Sequence, residues 1–190
     1  MERVSIEQLL EEDHRSIGDL ITGLCEALEE LDAERSFALL DLVWARLAIH
    51  IRAEHLCLFP ALMDAARNRS SAEEVSARFD EARTAINQLR HDHDFFMTEL
   101  ALAVNRLRAM NSLDADGKQE SLRDVLQTIN VVRARLEEHN RREEEEVYRW
   151  PAVVFDSSRQ AQISDCVRHE IENMPPRFSQ TRAGAPSRGA

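Results

Sequence analysis

Histidines and carboxylates recur in this chain in one arrangement, set out twice. His50 is followed four residues later by Glu54 and then by Leu58-Phe59-Pro60. His139 is followed at the same spacing by Glu143 and then by Val147-Tyr148-Arg149. An Asp-His pair precedes each, Asp13-His14 before the first and Asp92-His93 before the second. A spacing of i, i+4 puts both side chains on one helix face, about a turn apart. Four imidazoles and two carboxylates are nitrogen and oxygen donors of the kind that suit iron, manganese or zinc, with no thiolate among them. The chemistry they predict is that of a pair of metal ions held between helices.

The neighbours of these residues point them inward. His14 lies in line with Leu10, Ile17 and Ile21, and His50 with Val43, Leu47 and Leu58. His93 shares its stripe with Ile86, Leu89, Phe96 and Leu100, and His139 with Val132, Leu136 and Val147. Glu54 and Glu143 fall on the same apolar faces, where no Lys or Arg stands ready to pair with them. A buried carboxylate without a partner is penalised by several kcal/mol, so it pairs or binds a cation. Structural zinc usually takes four ligands, often cysteines. Six donors in two matched sets instead predict two ions bridged by Glu54 and Glu143, roughly 3.5–4 Å apart as in other two-metal sites.

Four long segments with apolar residues at i, i+3, i+4 and i+7 must position this set. The first starts at Ser5, with Gln8 completing a capping box, and runs to about Glu30. The second covers roughly Arg35 to Arg67, and the third runs from Ser71, with Glu74 as a second capping box, to near Asn111. Asp114-Ala115-Asp116-Gly117 reads as a turn into the fourth, which runs to Tyr148 and is stopped by Pro151. Short connections make an up-down-up-down antiparallel four-helix bundle the expectation, all-α and without strands. Residues equally far from a turn in a helical hairpin lie at one height. The midpoints between successive motifs fall at Ala33, near Ser71–Ala72 and at Gly117, all at or beside the connections, so the six candidate ligands share one level. The domain reading is a bundle over residues 1–151, a short helix capped by Asp156 within 152–174, and a disordered tail over 175–190.

Composition sets the outer limits. A net charge of -11 with no concentration of Lys and Arg excludes a phosphate-backbone binder, so no nucleic acid partner is expected. No run of 18 apolar residues exists and the amino terminus lacks a secretory pattern, so no membrane association is expected. Cys25, Cys57 and Cys166 are odd in number and widely spaced, which predicts free thiols in a reducing cytoplasm and a small buried role for Cys57.

The remaining candidates are weaker. His55 is turned about 100° from Glu54 and His91 about 200° from His93, so neither shares the common face, although either is a conceivable fifth nitrogen donor. His169 lies outside the bundle, and Glu144 and Glu145 read as a solvated face, with Glu146 nearest the core edge. Trp44, Phe59, Phe95, Phe96 and Trp150 read as core. The Glu-x-x-His pairs of ferritin-like carboxylate proteins are not matched, since only Glu11-His14 has that form.

The ordered set Asp13-His14, His50-x-x-x-Glu54 with Leu58-Phe59-Pro60, Asp92-His93 and His139-x-x-x-Glu143 resembles the hemerythrin-like, or HHE cation-binding, family. The resemblance covers about residues 5–151 and implies a four-helix bundle around a non-haem di-iron centre. By that likeness His14, His50, His93 and His139 are terminal ligands. Glu54 and Glu143 bridge, with an oxo or hydroxo group completing the link, and zinc or manganese are possible substitutes. The five-histidine set of oxygen-carrying members is not evident, which weighs against simple reversible oxygen carriage.

Two functional classes follow. The first is a cytoplasmic metal protein, monomer or homodimer, that binds or senses dioxygen or reacts weakly with peroxide or nitric oxide. The second is an iron-responsive regulatory module whose order is read by a separate protein. No general base or nucleophile is evident beside the metal donors, so any chemistry is expected to belong to the metal.

Overall fold

A computed structural model describes residues 4–68 and 73–179, and among them only helix and short connections occur. The long elements are α1 (Ile6–Glu29), α2 (Ala33–Ala53), α3 (Phe59–Asn68), α4 (Glu73–Ala109) and α5 (Ala115–Arg142). Two π-helical segments interrupt them, π1 (Glu54–Leu58) between α2 and α3 and π2 (Glu143–Val147) after α5. The short α6 (Trp150–Val154), α7 (Ser157–Glu172) and one further turn, α8 (Pro176–Ser179), complete the chain.

The starts are set by capping side chains. Ser5 and Gln8 form the expected reciprocal box, and Asp32, Asp114 and Asp156 each accept a bond from a backbone N–H three residues on. Each such cap is worth about 1 kcal/mol. The α1–α2 connection closes with Leu31 at φ 58, and the Asp32 N–H reaches the Ala27 carbonyl. A left-handed leucine is unfavourable by about 1–2 kcal/mol, offset here because its side chain packs on the core.

Several boundaries differ from the sequence reading. Asp114 caps α5 rather than opening a turn, and Gly117 donates its N–H to the Asp114 carboxylate inside the first helical turn. Pro151 does not itself stop the preceding helix, which ends at Val147 and is followed by a turn at Tyr148 and Arg149; it lies in the first turn of α6, where a missing N–H costs nothing. Residues 176–179, expected as tail, form a turn in which Arg177 bonds Asp41. The cap proposed at Ser71 lies outside the described residues, as do the side chain of Glu74 and the tail beyond 179.

Helices α1, α2, α4 and α5 pack in a ring, α1 on α2, α2 on α4, α4 on α5 and α5 on α1. Their apolar stripes make two buried clusters. One holds Ile17 to Leu28, Leu40 to Ile51 and their counterparts on α4 and α5; the other joins Ile6, Leu10, Leu58, Phe59 and Tyr148 to Ile163, Val167 and Ile171 of α7. A layer of Asp, His and Glu side chains separates them.

Candidate metal centre

The layer between the clusters is built from two copies of one pattern. Leu10, Asp13, His14 and Ile21 of α1 recur 79 positions later as Leu89, Asp92, His93 and Leu100 of α4. Arg46, Leu47, His50 and Glu54 recur 89 positions later as Arg135, Leu136, His139 and Glu143. Each helix rotates its polar pair into the layer because the flanking apolar residues are committed to the cores on either side.

All six residues singled out from the sequence meet here, each with 5% or less of its surface exposed. His14 Nε2 lies 3.0 Å from His50 Nε2, and His93 Nε2 lies 3.0 Å from His139 Nε2. The two carboxylates span both pairs. Glu54 reaches His50 at 3.8 Å with one oxygen and His93 at 3.3 Å with the other. Glu143 reaches His14 at 3.2 Å with Oε2 and His139 at 3.2 Å with Oε1. Donor atoms of His14, His50 and Glu143, and again of His93, His139 and Glu143, lie close enough to share one ion.

The far edge of each imidazole is held in place. His50 Nδ1 is 2.9 Å from Asp13 Oδ2, and Asp13 in turn pairs with Arg46. His139 Nδ1 faces Asp92 Oδ2 at 3.4 Å, with Arg135 on the other oxygen at 2.6 Å. His14 Nδ1 is 2.8 Å from Glu144, and His93 Nδ1 is 2.9 Å from His55 Nε2. An imidazole that donates from Nδ1 keeps its lone pair on Nε2. Paired lone pairs 3.0 Å apart, facing carboxylate oxygens of Glu54 and Glu143 that have no hydrogen-bond donor, need a cation between them. The residues therefore fit a pair of metal ions.

Without a metal, protons take that place. Burial and the neighbouring Glu143 charge push the Glu54 carboxyl up to about 8. Glu143 is held well below the usual carboxylate range: burial opposes this, but the charge and hydrogen bond of His139 outweigh it. Burial would lower His14, yet its bonds to Glu143 and Glu144 raise it to about 9. The Asp13 carboxyl stays below its usual value, because its bond to His50 outweighs burial.

Sequence reasoning missed several members of the site. Tyr148 is buried with its hydroxyl 2.7 Å from Glu54 Oε1, 3.1 Å from Glu143 Oε2 and 3.1 Å from His14 Nε2. The cause is π2. Its extra residue makes the Tyr148 N–H bond the Glu143 carbonyl five residues back, which turns the ring inward. Phe59 holds the equivalent place after π1 and stacks on His93. His55 supports His93 from behind, half-buried, instead of joining the donors, and His91 is exposed. Glu144, not Glu146, is the acidic residue that turns toward the site.

The pair of aligned His and Glu motifs is matched by the model of one family, the hemerythrin HHE cation-binding domain, over residues 5–151. The chain belongs to that family. No curated protein and no solved structure matches it. As an HHE domain it is a helical cation-binding protein whose His and Glu clusters are able to hold metal. Among the described residues no helix is long and apolar enough to cross a membrane.

The expectation of free thiols is overturned. Cys57 and Cys166 form a disulfide with Cα atoms 5.9 Å apart, leaving only Cys25 free and buried. The partners are 109 residues apart, and only the docking of α7 beside π1 brings them together.

Proposed function

We propose that this HHE domain is a cytoplasmic non-haem di-iron protein, folded as an up-down-up-down bundle, that binds or senses dioxygen or reacts with peroxide or nitric oxide. His14 and His50 would hold one ion, His93 and His139 the other, and Glu54 and Glu143 would bridge. The observation that carries this reading is the facing of two imidazole lone-pair couples across two donor-less buried carboxylate oxygens. Iron, when bound, supplies the redox chemistry and an open position for a small ligand.

The chain supplies orientation, dryness and proton control. Asp13, Asp92, Glu144 and His55 fix the tautomers that direct every Nε2 inward. Tyr148, whose hydroxyl burial and nearby carboxylates raise well above the ordinary phenol value, keeps its proton and donates it in hydrogen bonding to Glu54. Phe59 offers no oxygen at the equivalent place, so a hydroxyl donor stands only beside the His14/His50 pair. In a reducing cytoplasm the Cys57–Cys166 bond would be a reversible one.

Metal analysis and an absorption spectrum of iron-reconstituted protein test the proposal. Two irons per chain, with near-ultraviolet oxo-bridge absorption that changes on adding oxygen, peroxide or nitric oxide, are expected. Substoichiometric iron without that absorption overturns it.

A further inference from the structure

The disulfide joins an exposed residue to a buried one. Cys166 of α7 is exposed, at the edge that meets π1, whereas Cys57 is 6% exposed within π1, three residues after Glu54 and next to Leu58 and Phe59. Helix α7 lies beyond the matched residues 5–151 and is fastened to the elements that carry His50 and Glu54. Arg52 bonds Glu170 at 2.7 Å, and Arg46, the residue that pairs with Asp13 behind His50, donates to the Ile171 carbonyl at 3.1 Å. Ser164 bonds the Val4 carbonyl, and Ile163, Val167 and Ile171 fill the second core.

The repeat makes this fastening one-sided. The position equivalent to Cys57 in π2 is Glu146, which is exposed, so π2 has no covalent tie. A π turn is a single-turn interruption of the α-helix, frequent at functional sites. An anchor there fixes the turn that aims Glu54, and Glu143 keeps its place without one.

We propose that Cys57 and Cys166 form a second redox centre, a dithiol/disulfide couple that exchanges with low-molecular-mass thiols at Cys166 and, by tethering α7 to π1, controls how firmly Glu54 holds metal. The control rests on the di-iron reading above; the exchange chemistry does not.

A thiolate attacks the accessible sulfur in line with the S–S bond. The Cys166 sulfur bonds to the incoming thiol, the Cys57 sulfur leaves with the bond's electron pair, and a proton from solvent makes it a thiol. A second thiol attacks the mixed disulfide and releases an external disulfide and the Cys166 thiol, so two electrons have entered the protein. Hydrogen peroxide restores the bond. The Cys166 thiolate attacks one peroxide oxygen to give a sulfenic acid and hydroxide, and the Cys57 thiol then displaces water from it. Two thiols and one peroxide become one disulfide and two waters. The polar and apolar contacts of α7 persist after reduction, so the helix loosens without leaving and the sulfurs stay within reach.

The full chain, oxidised and glutathione-reduced, tests this. In metal-free protein, reduction should speed amide exchange about tenfold or more in residues 54–58 and 157–172 and leave 143–147 unchanged. Cys57→Ser treated with oxidised glutathione should carry glutathione on Cys166, released with one equivalent of the reduced thiol, and Cys166→Ser should exchange in 54–58 like the reduced protein. In iron-loaded protein, release to a chelator should be about tenfold faster after reduction and return after peroxide. Unchanged exchange in 54–58 on reduction, or glutathione found on Cys57 of the wild-type chain, overturns the proposal. Failure to load iron in either state overturns the di-iron reading and the control of metal, while exchange and adduct position still decide the thiol chemistry.

Discussion

Replacing Glu54 with Gln should make the metal-free protein more stable while removing its grip on metal. The substitution keeps the side chain's shape and an oxygen to accept the Tyr148 hydroxyl. It removes the charge that burial and Glu143 oppose, an opposition that carries the carboxyl from its ordinary 4.5 to about 8. A carboxyl raised on folding costs stability above its unfolded value, and the cost grows through its folded value. Each pH unit in that window is about 1.4 kcal/mol, so at pH 7 the wild-type chain is penalised by about 3 kcal/mol and at pH 5 by under about 1. For a domain of this size that corresponds to about 6–12 °C in Tm. Thermal melts of chelator-treated wild type and Glu54→Gln at pH 5 and pH 7 measure it, with a gap expected at pH 7 that collapses at pH 5. Iron should then raise the wild-type Tm and leave the variant unmoved. A variant no more stable than wild type at pH 7, or a gap indifferent to pH, would refute the claim that Glu54 is held ready for a cation at the expense of the fold.

Three further outcomes follow from the same geometry. In the metal-free protein His14, raised from 6.5 to about 9, contributes stability below pH 6.5 that is lost as pH climbs to 9, and Glu54, raised from 4.5 to about 8, adds a loss that grows between pH 4.5 and 8; melts from pH 4.5 to 9 should fall, and bound iron, which displaces those protons, should abolish the fall. Asp13→Asn removes the charge behind His50 Nδ1 and should weaken iron affinity about 10–100-fold with little change in the helical circular dichroism, read by chelator competition. Tyr148→Phe deletes the donor to Glu54 and should cost the metal-free protein about 1.5–3 kcal/mol at pH 9, where the carboxylate is charged, and less at pH 6; equal denaturant midpoints at both pH values would contradict it.

The α-helical parts of the molecule were legible because their periodicity is regular. Ser5, Gln8 and Asp156 cap as read, and the stripes carrying His14, His50, His93 and His139 converge with Glu54 and Glu143 in one layer. The π turns were not legible, since an i to i+5 bond carries no residue signature. At about 100° per residue Tyr148 falls off the inner face, and only the inserted residue of π2 returns it. Glu144 looked solvated for the same reason. The supports Asp13 and Asp92 act across helices, from behind the rings they hold, so spacing within one helix said nothing of their role. Cys57 and Cys166 pair through the docking of α7, which no local pattern encodes.

The two imidazole pairs match in sequence but not in what stands behind them. Asp13 with Arg46 and Asp92 with Arg135 recur across the repeat, the first carboxylate 2.9 Å from its histidine and the second 3.4 Å. What differs in kind is a carboxylate side chain, Glu144, behind His14 against an imidazole, His55, behind His93. An anionic partner makes a ligating ring more electron-rich and favours the higher oxidation state of its metal. Were metal held there as proposed, the His14/His50 pair would donate more strongly to its ion than the His93/His139 pair to its own. Exchanging the two supports, Glu144→His with His55→Glu, should reverse that inequality between the two pairs.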